Sequence, residues 1–477
     1  MVINDCYDGN PVKAIKKAVA RLEGAYAFCI MFEDYPGVIY AIRSGSPLVA
    51  TSTQKGSIIA SDMVALLKYS KDYFVLPEHH IARLTEDEIV VTNMEHQVVE
   101  PKMLHVNWDV ASARKGGYDY FMLKEIHEQP EALRNTIGPR IVDGLPDFSE
   151  DNVPDSLFTN VNRVIITACG TAMHAGLIGK NLIERFVRIP VTVDIASEFR
   201  YQDPIIDEHT LVITVSQSGE TADTLAALRL AKERKAKTLS IVNVKGSSIA
   251  READNVFYTL AGPEISVATT KAYSTQLIAT YALAIQFAKV RGQITEEQYT
   301  GYIEELQTIP DKISKIIADK ERIQWFAAKQ ANAKDAFFVG RGIDYAISLE
   351  GSLKMKEISY IHSEAYAAGE LKHGTISLIE DGTLVIGVLT QPDLYEKTVS
   401  NMVECKSRGA YLMGLTTFGH YNIEDTADFT VYIPKTDPHF ATSLAVIPLQ
   451  LMGYYVSVAK GLDVDKPRNL AKSVTVE

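Results

Sequence analysis

The spacing of hydrophobic positions divides the chain into a β-rich front and a long α/β region. After one amphipathic helix near Val12 to Leu22, the first 105 residues or so contain short apolar runs such as AYAFCIMFED, GVIYAIRSG and DEIVVTN, which predict strands. A charged stretch follows, ARKGGYDYFMLKEIHEQPEALRNTI, which we interpret as a connector, too polar for a core and helical at its end. From about Val161, apolar strands alternate with helical patterns such as TADTLAALRLAKERKA. That alternation predicts a parallel sheet covered by helices on both faces.

The α/β pattern occurs twice. Strand motifs correspond at a nearly constant offset of 172 or 173 positions: Gly170 with Gly342, Thr210 with Thr383, and Lys237 with Ala410. Such an offset predicts two copies of one doubly wound domain, the alternative being two unrelated domains of similar size. The predicted division is a β-rich domain 1–105, a connector 106–150, a first α/β domain 151–300 and a second 301–477.

Composition narrows the class of protein. A chain of 477 residues is too long for a single hydrophobic core. Its 48 Lys and Arg residues and 60 Asp and Glu residues are evenly scattered, which argues against nucleic-acid binding. Four distant cysteines without a Cys-x-x-Cys pair argue against a disulfide framework and a zinc finger, so we expect a cytoplasmic protein. The uncharged runs 441–459 and 273–288 predict buried core helices rather than membrane spans. The N-terminus does not read as a signal peptide.

The sharpest local motif is Ser216-Gln217-Ser218-Gly219-Glu220-Thr221, between a strand and a helix. Its hydroxyls and N–H groups, at the carboxyl edge of a parallel sheet, predict a neutral cradle for a phosphate. A second turn, Cys169-Gly170-Thr171-Ala172, is expected to face the same ligand. The alternative is a helix cap with a capping-box glutamate. The corresponding loop of the second copy, Thr390-Gln391-Pro392-Asp393, lacks the serines, so we expect only the first copy to hold phosphate.

The second copy offers charged groups instead. Glu350, Lys354 and Glu357 fall on one face of a predicted helix among apolar neighbours, which indicates buried, functional charges, although a solvated salt-bridge face is the usual outcome. His373 lies in a glycine-flanked segment suited to acid–base chemistry. In a weakly helical tail, Lys472 follows Arg468 by four residues; a neighbouring cation would lower the lysine pKa for attack on a carbonyl.

Six motifs together resemble the isomerase half of the glutamine–fructose-6-phosphate aminotransferases, the glucosamine-6-phosphate synthases. They are CGTAMHAG, IASEFRYQDP, TVSQSGETADTLAALRLAK, ISVATTKAYSTQL, LEGSLKMKEISYIHSEAYAAGELKHG and DKPRNLAKSVTVE, and the similarity runs from about Gly116 to Glu477. The resemblance implies an α/β protein with two tandem sugar-isomerase (SIS) domains, preceded here by part of a β-rich, Ntn-type glutaminase domain (a type-2 glutamine amidotransferase domain).

The resemblance also implies roles for individual residues. Lys472 matches the Schiff-base lysine, Glu357 the base that moves a proton between C1 and C2, and His373 a ring-opening histidine that reaches in from a partner subunit. Glu350, Lys354 and Arg468 are the supporting polar residues. The sugar phosphate is expected to contact Cys169, Gly170, Thr171, Ser216, Gln217, Ser218 and Thr221, and the backbone of Val267 and Ala471. Ala172 and Met173 depart from the Ser and Tyr of many relatives.

The front of the chain departs from the family pattern. Val2 follows Met1 where the family has a cysteine whose α-amino group acts as base, and the internal Cys6 matches no family motif. Residues 1–105 resemble only the rear part of the glutaminase domain. We therefore expect the chain to make glucosamine 6-phosphate from fructose 6-phosphate with ammonia rather than glutamine. The role implied for His373 leads us to expect a homodimer with composite active sites. We expect no metal or redox cofactor.

Two alternatives remain open. One is a glutamine-independent sugar-phosphate isomerase or deaminase, and the other is a non-catalytic SIS sugar-phosphate sensor, which would not need Glu357, His373 and Lys472.

Overall fold

The computed structural model describes residues 2–106, 108 and 114–475, and its front is β-rich as predicted. The predicted amphipathic helix is α2, which Asn10 caps by accepting a hydrogen bond from the Lys13 N–H. The helices and strands of this part are α1 Val2–Asp5, α2 Pro11–Val19, β1 Tyr26–Ile30, β2 Ile39–Ser44, β3 Val49–Thr53, β4 Gly56–Ala60, β5 Asp72–Val75, β6 Ile81–Leu84, β7 Ile89–Thr92 and β8 Met103–His105. The eight strands form two antiparallel sheets, β1-β2-β6-β7 and β4-β3-β5-β8, which share a buried core.

Helix α3 (Phe121–Ile137) corrects the prediction of a connector too polar for a core. Ile126, Gln129 and Leu133 are fully buried, because α3 packs against the helices of the α/β region. Gln129 donates to Gln450 Oε1 at 2.8 Å, so its amide is buried with a partner. Residues 107 and 109–113 of the predicted connector lie outside the described residues.

The first α/β domain contains a five-stranded parallel sheet of order β12-β11-β13-β14-β15. Its strands, and a short hairpin before them, are β9 Ile141–Val142, β10 Leu145–Pro146, β11 Arg163–Ala168, β12 Val191–Ile195, β13 Thr210–Ser216, β14 Lys237–Val242 and β15 Asn255–Tyr258. Its helices are α4 Gly170–Phe186, α5 Ala196–Phe199, α6 Ala222–Glu233, α7 Ser248–Glu252 and α8 Lys271–Val290. Helices α9 Glu296–Ala318 and α10 Lys320–Gln330 lead to the second domain.

The second α/β domain repeats that topology, which confirms the duplication. Its strands are β16 Asp335–Gly340, β17 His362–Ala367, β18 Leu384–Leu389, β19 Tyr411–Thr417 and β20 Phe429–Ile433, and its helices are α11 Ile343–Ser359, α12 Tyr395–Lys406 and α13 Thr442–Ala459. All five strands are parallel in the order β17-β16-β18-β19-β20. The order second-first-third-fourth-fifth is therefore common to both domains.

The two uncharged segments lie in core helices, as predicted. The run 273–288 lies within α8, and almost all of α13 is buried. Among the described residues, α13 is the one helix long and apolar enough to cross a membrane, but 89% of it is covered by protein. Both helices pack inside the main hydrophobic core.

Candidate active site

Parallel pairing brings the two predicted substrate turns to the same edge of the first sheet. Thr167 of β11 pairs with Thr214 of β13, so the chain leaves the two strands side by side two residues later, at Cys169 and Ser216. This is the carboxyl edge at which ligands bind in doubly wound sheets.

The loop after β13 is held by its own hydroxyl groups. Ser216 Oγ accepts the Gly219 N–H at 3.0 Å and lies 3.0 Å from Thr221 Oγ1. Gly219 has φ +66°, and a Cβ there would collide with the Ser247 hydroxyl, so glycine is required. Ser218 Oγ accepts the N–H of the residue two positions later at 3.1 Å. The loop thus presents several hydroxyls at the start of α6.

Glu220 does not form the capping box considered as the alternative. Its Oε1 accepts the Ser248 N–H at 2.8 Å, at the start of α7, and Thr221 makes no side-chain capping bond. Desolvation raises the pKa of the Glu220 carboxyl, and Ser248 opposes that rise. Glu220 therefore links the loop 216–221 to the connection between β14 and β15, which contains α7.

A cavity of about 350 Å³ brings together most of the predicted site residues. Eleven of the fifteen line it: Cys169, Gly170, Thr171, Ser216, Gln217, Ser218, Thr221, Val267, Glu357, Ala471 and Lys472. The four predicted residues that do not line it are Glu350, Lys354, His373 and Arg468. The cavity therefore combines the first domain with α11 of the second domain and with the C-terminal tail.

The charged face of α11 is buried, as its spacing and neighbours predict. Lys354 is fully buried and donates to Thr171 Oγ1 at 3.0 Å and to the Glu357 carboxylate, and its Nζ lies 3.5 Å from Glu350 Oε1. Burial alone would lower the pKa of Lys354, but Glu357 and Glu350 raise it above its ordinary value. Lys354 is thus held as an ammonium that orients Glu357 at the cavity wall.

His174 is a buried member of this network that the sequence analysis did not assign. Its Nδ1 lies 2.7 Å from Glu350 Oε2, and Thr171 Oγ1 donates to Glu350 Oε1 at 3.2 Å. His174 and Thr171 are one turn apart on α4, so their side chains lie on the same face of the helix. The three-residue spacing from the predicted Thr171 is the sequence signal that could have identified His174.

The C-terminal tail carries Lys472 to the cavity in an irregular conformation. Lys472 Nζ lies 2.5 Å from Glu264 Oε2 and 3.4 Å from Thr269 Oγ1. This corrects two expectations: the described tail is not helical, and the charged partner of Lys472 is a carboxylate rather than Arg468. The Arg468 guanidinium instead lies 4.2 Å from the centre of the Tyr360 ring.

Four hydrogen bonds hold the tail against the loop 216–221, the start of α6 and α3. Ser473 Oγ donates to Ser218 Oγ at 2.7 Å, and the Ala222 N–H donates to the Val474 carbonyl. Asp465 accepts two backbone N–H groups at the start of α3, at 2.8 and 2.9 Å. The position of Lys472 therefore depends on both the loop and α3.

His373 lies outside the cavity of this chain. It is the last residue of the turn Leu371–His373 on the second domain, in which Leu371 is buried and His373 is exposed. The family resemblance implies that this residue reaches the site of a partner subunit, and that expectation stays a prediction.

The loop after β18 is the counterpart of the loop 216–221 after β13, and a carboxyl group of the same chain fills it. Asp344 is buried, its Oδ2 accepts the Thr390 N–H at 2.8 Å, and its other oxygen accepts the Thr390 hydroxyl. Burial raises the pKa of Asp344 to about 7, although Thr390 opposes the rise. A carboxyl group of the same chain thus occupies this loop.

Comparison with known proteins agrees with this architecture. The SIS domain family matches residues 157–286 and 330–460. The chain is 51% identical over 478 residues to a glutamine–fructose-6-phosphate aminotransferase (isomerizing) of Clostridium tetani, covering 100% of this chain and 78% of that protein.

Two solved structures resemble the α/β region. The C-terminal domain of a glucosamine–fructose-6-phosphate aminotransferase from Francisella tularensis has 38% identity and a TM-score of 0.71, covering 74% of this chain and 100% of that one. A glucosamine-6-phosphate deaminase from Thermotoga maritima has 25% identity and a TM-score of 0.57, covering 74% and 99%.

Proposed function

Because the chain belongs to the glutamine–fructose-6-phosphate aminotransferase (isomerizing) family, we propose that its cavity aminates fructose 6-phosphate with ammonia to give glucosamine 6-phosphate. One observation carries the proposal. The hydroxyl loop 216–221, the Lys472 amine and the Glu357 carboxylate line one cavity, although they come from three distant segments. A phosphate cradle, a nucleophile and a base are the groups that this reaction needs.

The loop binds the phosphate through hydrogen bonds. The hydroxyls of Ser216, Ser218 and Thr221 lie at the start of α6, where the N–H groups and the helix dipole favour an anion. Lys472 is the one Lys or Arg among the described residues that line this cavity, so the loop itself supplies no cation. The tail residue Ser473, hydrogen-bonded to Ser218, ties phosphate binding to the position of Lys472.

The carbon skeleton reacts between Lys472 and Glu357. His373 of a partner subunit assists opening of the furanose ring. Lys472 condenses with the C2 ketone and releases water, and ammonia then displaces the lysine from C2. Glu357, oriented by Lys354, removes a C1 proton and delivers a proton to C2, so that C1 becomes the aldehyde and C2 carries the amine.

The alternative enzyme activity uses the same cavity without added nitrogen. If water rather than ammonia releases the ketose, proton transfer by Glu357 converts fructose 6-phosphate into glucose 6-phosphate. Similarity to the Thermotoga deaminase favours the deaminase form of this alternative, in which water releases ammonia from glucosamine 6-phosphate in the reverse direction. A sensor, in contrast, has no use for an amine and a carboxylate that line the same cavity.

The nitrogen source separates these functions. The purified 477-residue chain is incubated with fructose 6-phosphate and either ¹⁵N-ammonium or glutamine labelled in its amide, and products are identified by mass spectrometry. We expect labelled glucosamine 6-phosphate from ammonium, the nitrogen source of the proposal, and none from glutamine. Glucose 6-phosphate alone would support the isomerase, no turnover would support the sensor, and glutamine-dependent synthesis would contradict the assignment of ammonia.

A further inference from the structure

Three buried carboxylates link α3, the 262–270 loop and the C-terminal tail in a closed cycle. Glu125 of α3 accepts the N–H groups of Ile265 and Ser266 in the loop, at 2.5 and 3.2 Å. Glu264 of the loop accepts from Lys472 of the tail, and Asp465 of the tail accepts from the start of α3. Each segment is therefore held by a carboxylate of another, and Lys472 lies within the cycle.

Glu264 has one oxygen committed to backbone and the other committed to Lys472. Its Oε1 accepts the N–H groups of Thr270 and Ala272, at 2.9 and 3.1 Å, at the start of the 20-residue helix α8. Its Oε2 lies 2.5 Å from Lys472 Nζ. Burial would raise the pKa of Glu264, but Lys472 and the two N–H groups hold it below its ordinary value. Glu264 is thus a fixed carboxylate in contact with the reactive nitrogen.

Glu125 is the second buried carboxyl beside this pair. Desolvation and the charge of Glu264 raise its pKa to about 8, so that Glu125 carries its own proton at neutral pH. Its Oε2 is buried and has no hydrogen-bond partner among the residues described. Of the two carboxyls, Glu264 is therefore the one able to accept a proton from Lys472.

We propose that Glu264 is the acid–base residue of Lys472, a role that rests on the imine chemistry of the proposed function. The Lys472 ammonium transfers one proton to Glu264, and the free amine forms a bond to C2 as the carbonyl electrons move to oxygen. The second amine proton neutralises the C2 alkoxide. Glu264 then returns its proton to the C2 hydroxyl, which leaves as water, so that the iminium and the Glu264 carboxylate result.

Other titratable groups face this pair from each surrounding element. The groups whose charge acts on Glu264, Glu125 or Lys472 are Lys271 at the start of α8, Lys354 on α11 and Asp62 of the β-rich domain. None of these is hydrogen-bonded to Lys472 Nζ in the described structure. Glu264 therefore provides the direct proton acceptor.

Trapping of the imine tests this role before any nitrogen is added. Borohydride is mixed with enzyme and fructose 6-phosphate at successive times, and the reduced Lys472 adduct is counted by mass spectrometry. For Glu264→Gln we expect adduct formation about 100-fold slower or more, with fructose 6-phosphate affinity by calorimetry unchanged within about twofold.

The control is Glu128→Gln, which removes a carboxylate from another buried lysine, Lys271, at 2.7 Å and leaves the tail intact. We expect the reduced Lys472 adduct to form in Glu128→Gln at the wild-type rate. Glu264→Asp keeps a carboxylate at the start of α8 and secures the test if the glutamine variant folds poorly. The shorter side chain lengthens the contact with Lys472, so we expect at least about tenfold slower trapping.

The outcomes separate two failures. No Lys472 adduct in the wild type would refute the imine step of the proposed function. Wild-type trapping rates in Glu264→Gln or Glu264→Asp, with the adduct present, would overturn the role of Glu264 alone.

Discussion

At the scale of single residues, Thr221 offers the cleanest test of phosphate binding. Its hydroxyl contacts Ser216 and lines the cavity, whereas Ser216 also supports the Gly219 N–H. Thr221→Ala should raise the KM for fructose 6-phosphate about 10- to 100-fold, since one hydrogen bond to a charged group contributes about 1.5–3 kcal/mol. Steady-state kinetics and calorimetry measure the effect, with the exposed Thr308→Ala as control. Unchanged affinity in a Ser216→Ala, Thr221→Ala double variant would contradict the loop assignment.

Lys472 provides a second residue-scale prediction. Lys472→Arg keeps a cation beside Glu264 but replaces the amine with a guanidinium that stays protonated and cannot form an imine. We expect loss of product and of borohydride trapping, while calorimetry still detects fructose 6-phosphate. Residual turnover above the background of Lys472→Ala would show that the amine is not the nucleophile.

The sequence analysis assigned residues that lie within motifs and missed those that depend on tertiary contacts. Ser216 and Glu357 stood out by their local pattern and Lys472 by the family resemblance, and the fold brings all three to one cavity. Glu264 could not be found this way, because its significance comes from a tail residue 208 positions later that only the fold brings to it. Arg468 was misassigned as the neighbour of Lys472 for the same reason: helical spacing does not apply to an irregular tail.

At the scale of elements, the polar-looking helix α3 shows where hydrophobic patterns fail. Glu125 and Gln129 suggested exposure, but each is buried with specific hydrogen bonds to the 262–270 loop and to α13. Composition records polarity but not whether a side chain is buried with a hydrogen-bond partner, so a buried polar helix is predicted as a connector. The parallel strands and the two uncharged helices, in contrast, were predictable because their burial leaves continuous apolar runs.

The loop after β18 gives a prediction about stability. The pKa of Asp344 is raised in the folded protein to about 7, so folding is favoured while the carboxyl is protonated and that contribution is lost as pH rises through about 7. Thermal unfolding between pH 5.5 and 8.5 should therefore show a larger fall in Tm for the wild type than for Asp344→Asn, which does not titrate. Parallel Tm profiles for the two proteins would contradict the buried, titrating carboxyl.

At the scale of the whole molecule, the exposed position of His373 leads to a complementation experiment. If His373 completes the site of a partner subunit, equal amounts of His373→Ala and Lys472→Ala chains, after subunit exchange, should recover activity at about a quarter of the sites in a two-fold dimer. Light scattering checks the dimer, and mass spectrometry of differently labelled chains checks the exchange. Verified exchange without recovery would show that both residues act within one chain.

The Asp344 side chain also has a consequence for how two copies of one domain share a single cavity. Two identical copies arising from a tandem duplication would begin with two equivalent binding loops. Because the Asp344 side chain belongs to the chain, a dissolved ligand does not displace it from the loop after β18. We therefore expect each chain to bind one sugar phosphate rather than two. The second copy instead contributes helix α11, whose Lys354 contacts Thr171 of the first domain and whose Glu357 lines the cavity there. Internal symmetry of the backbone thus coexists with strict asymmetry of the chemistry.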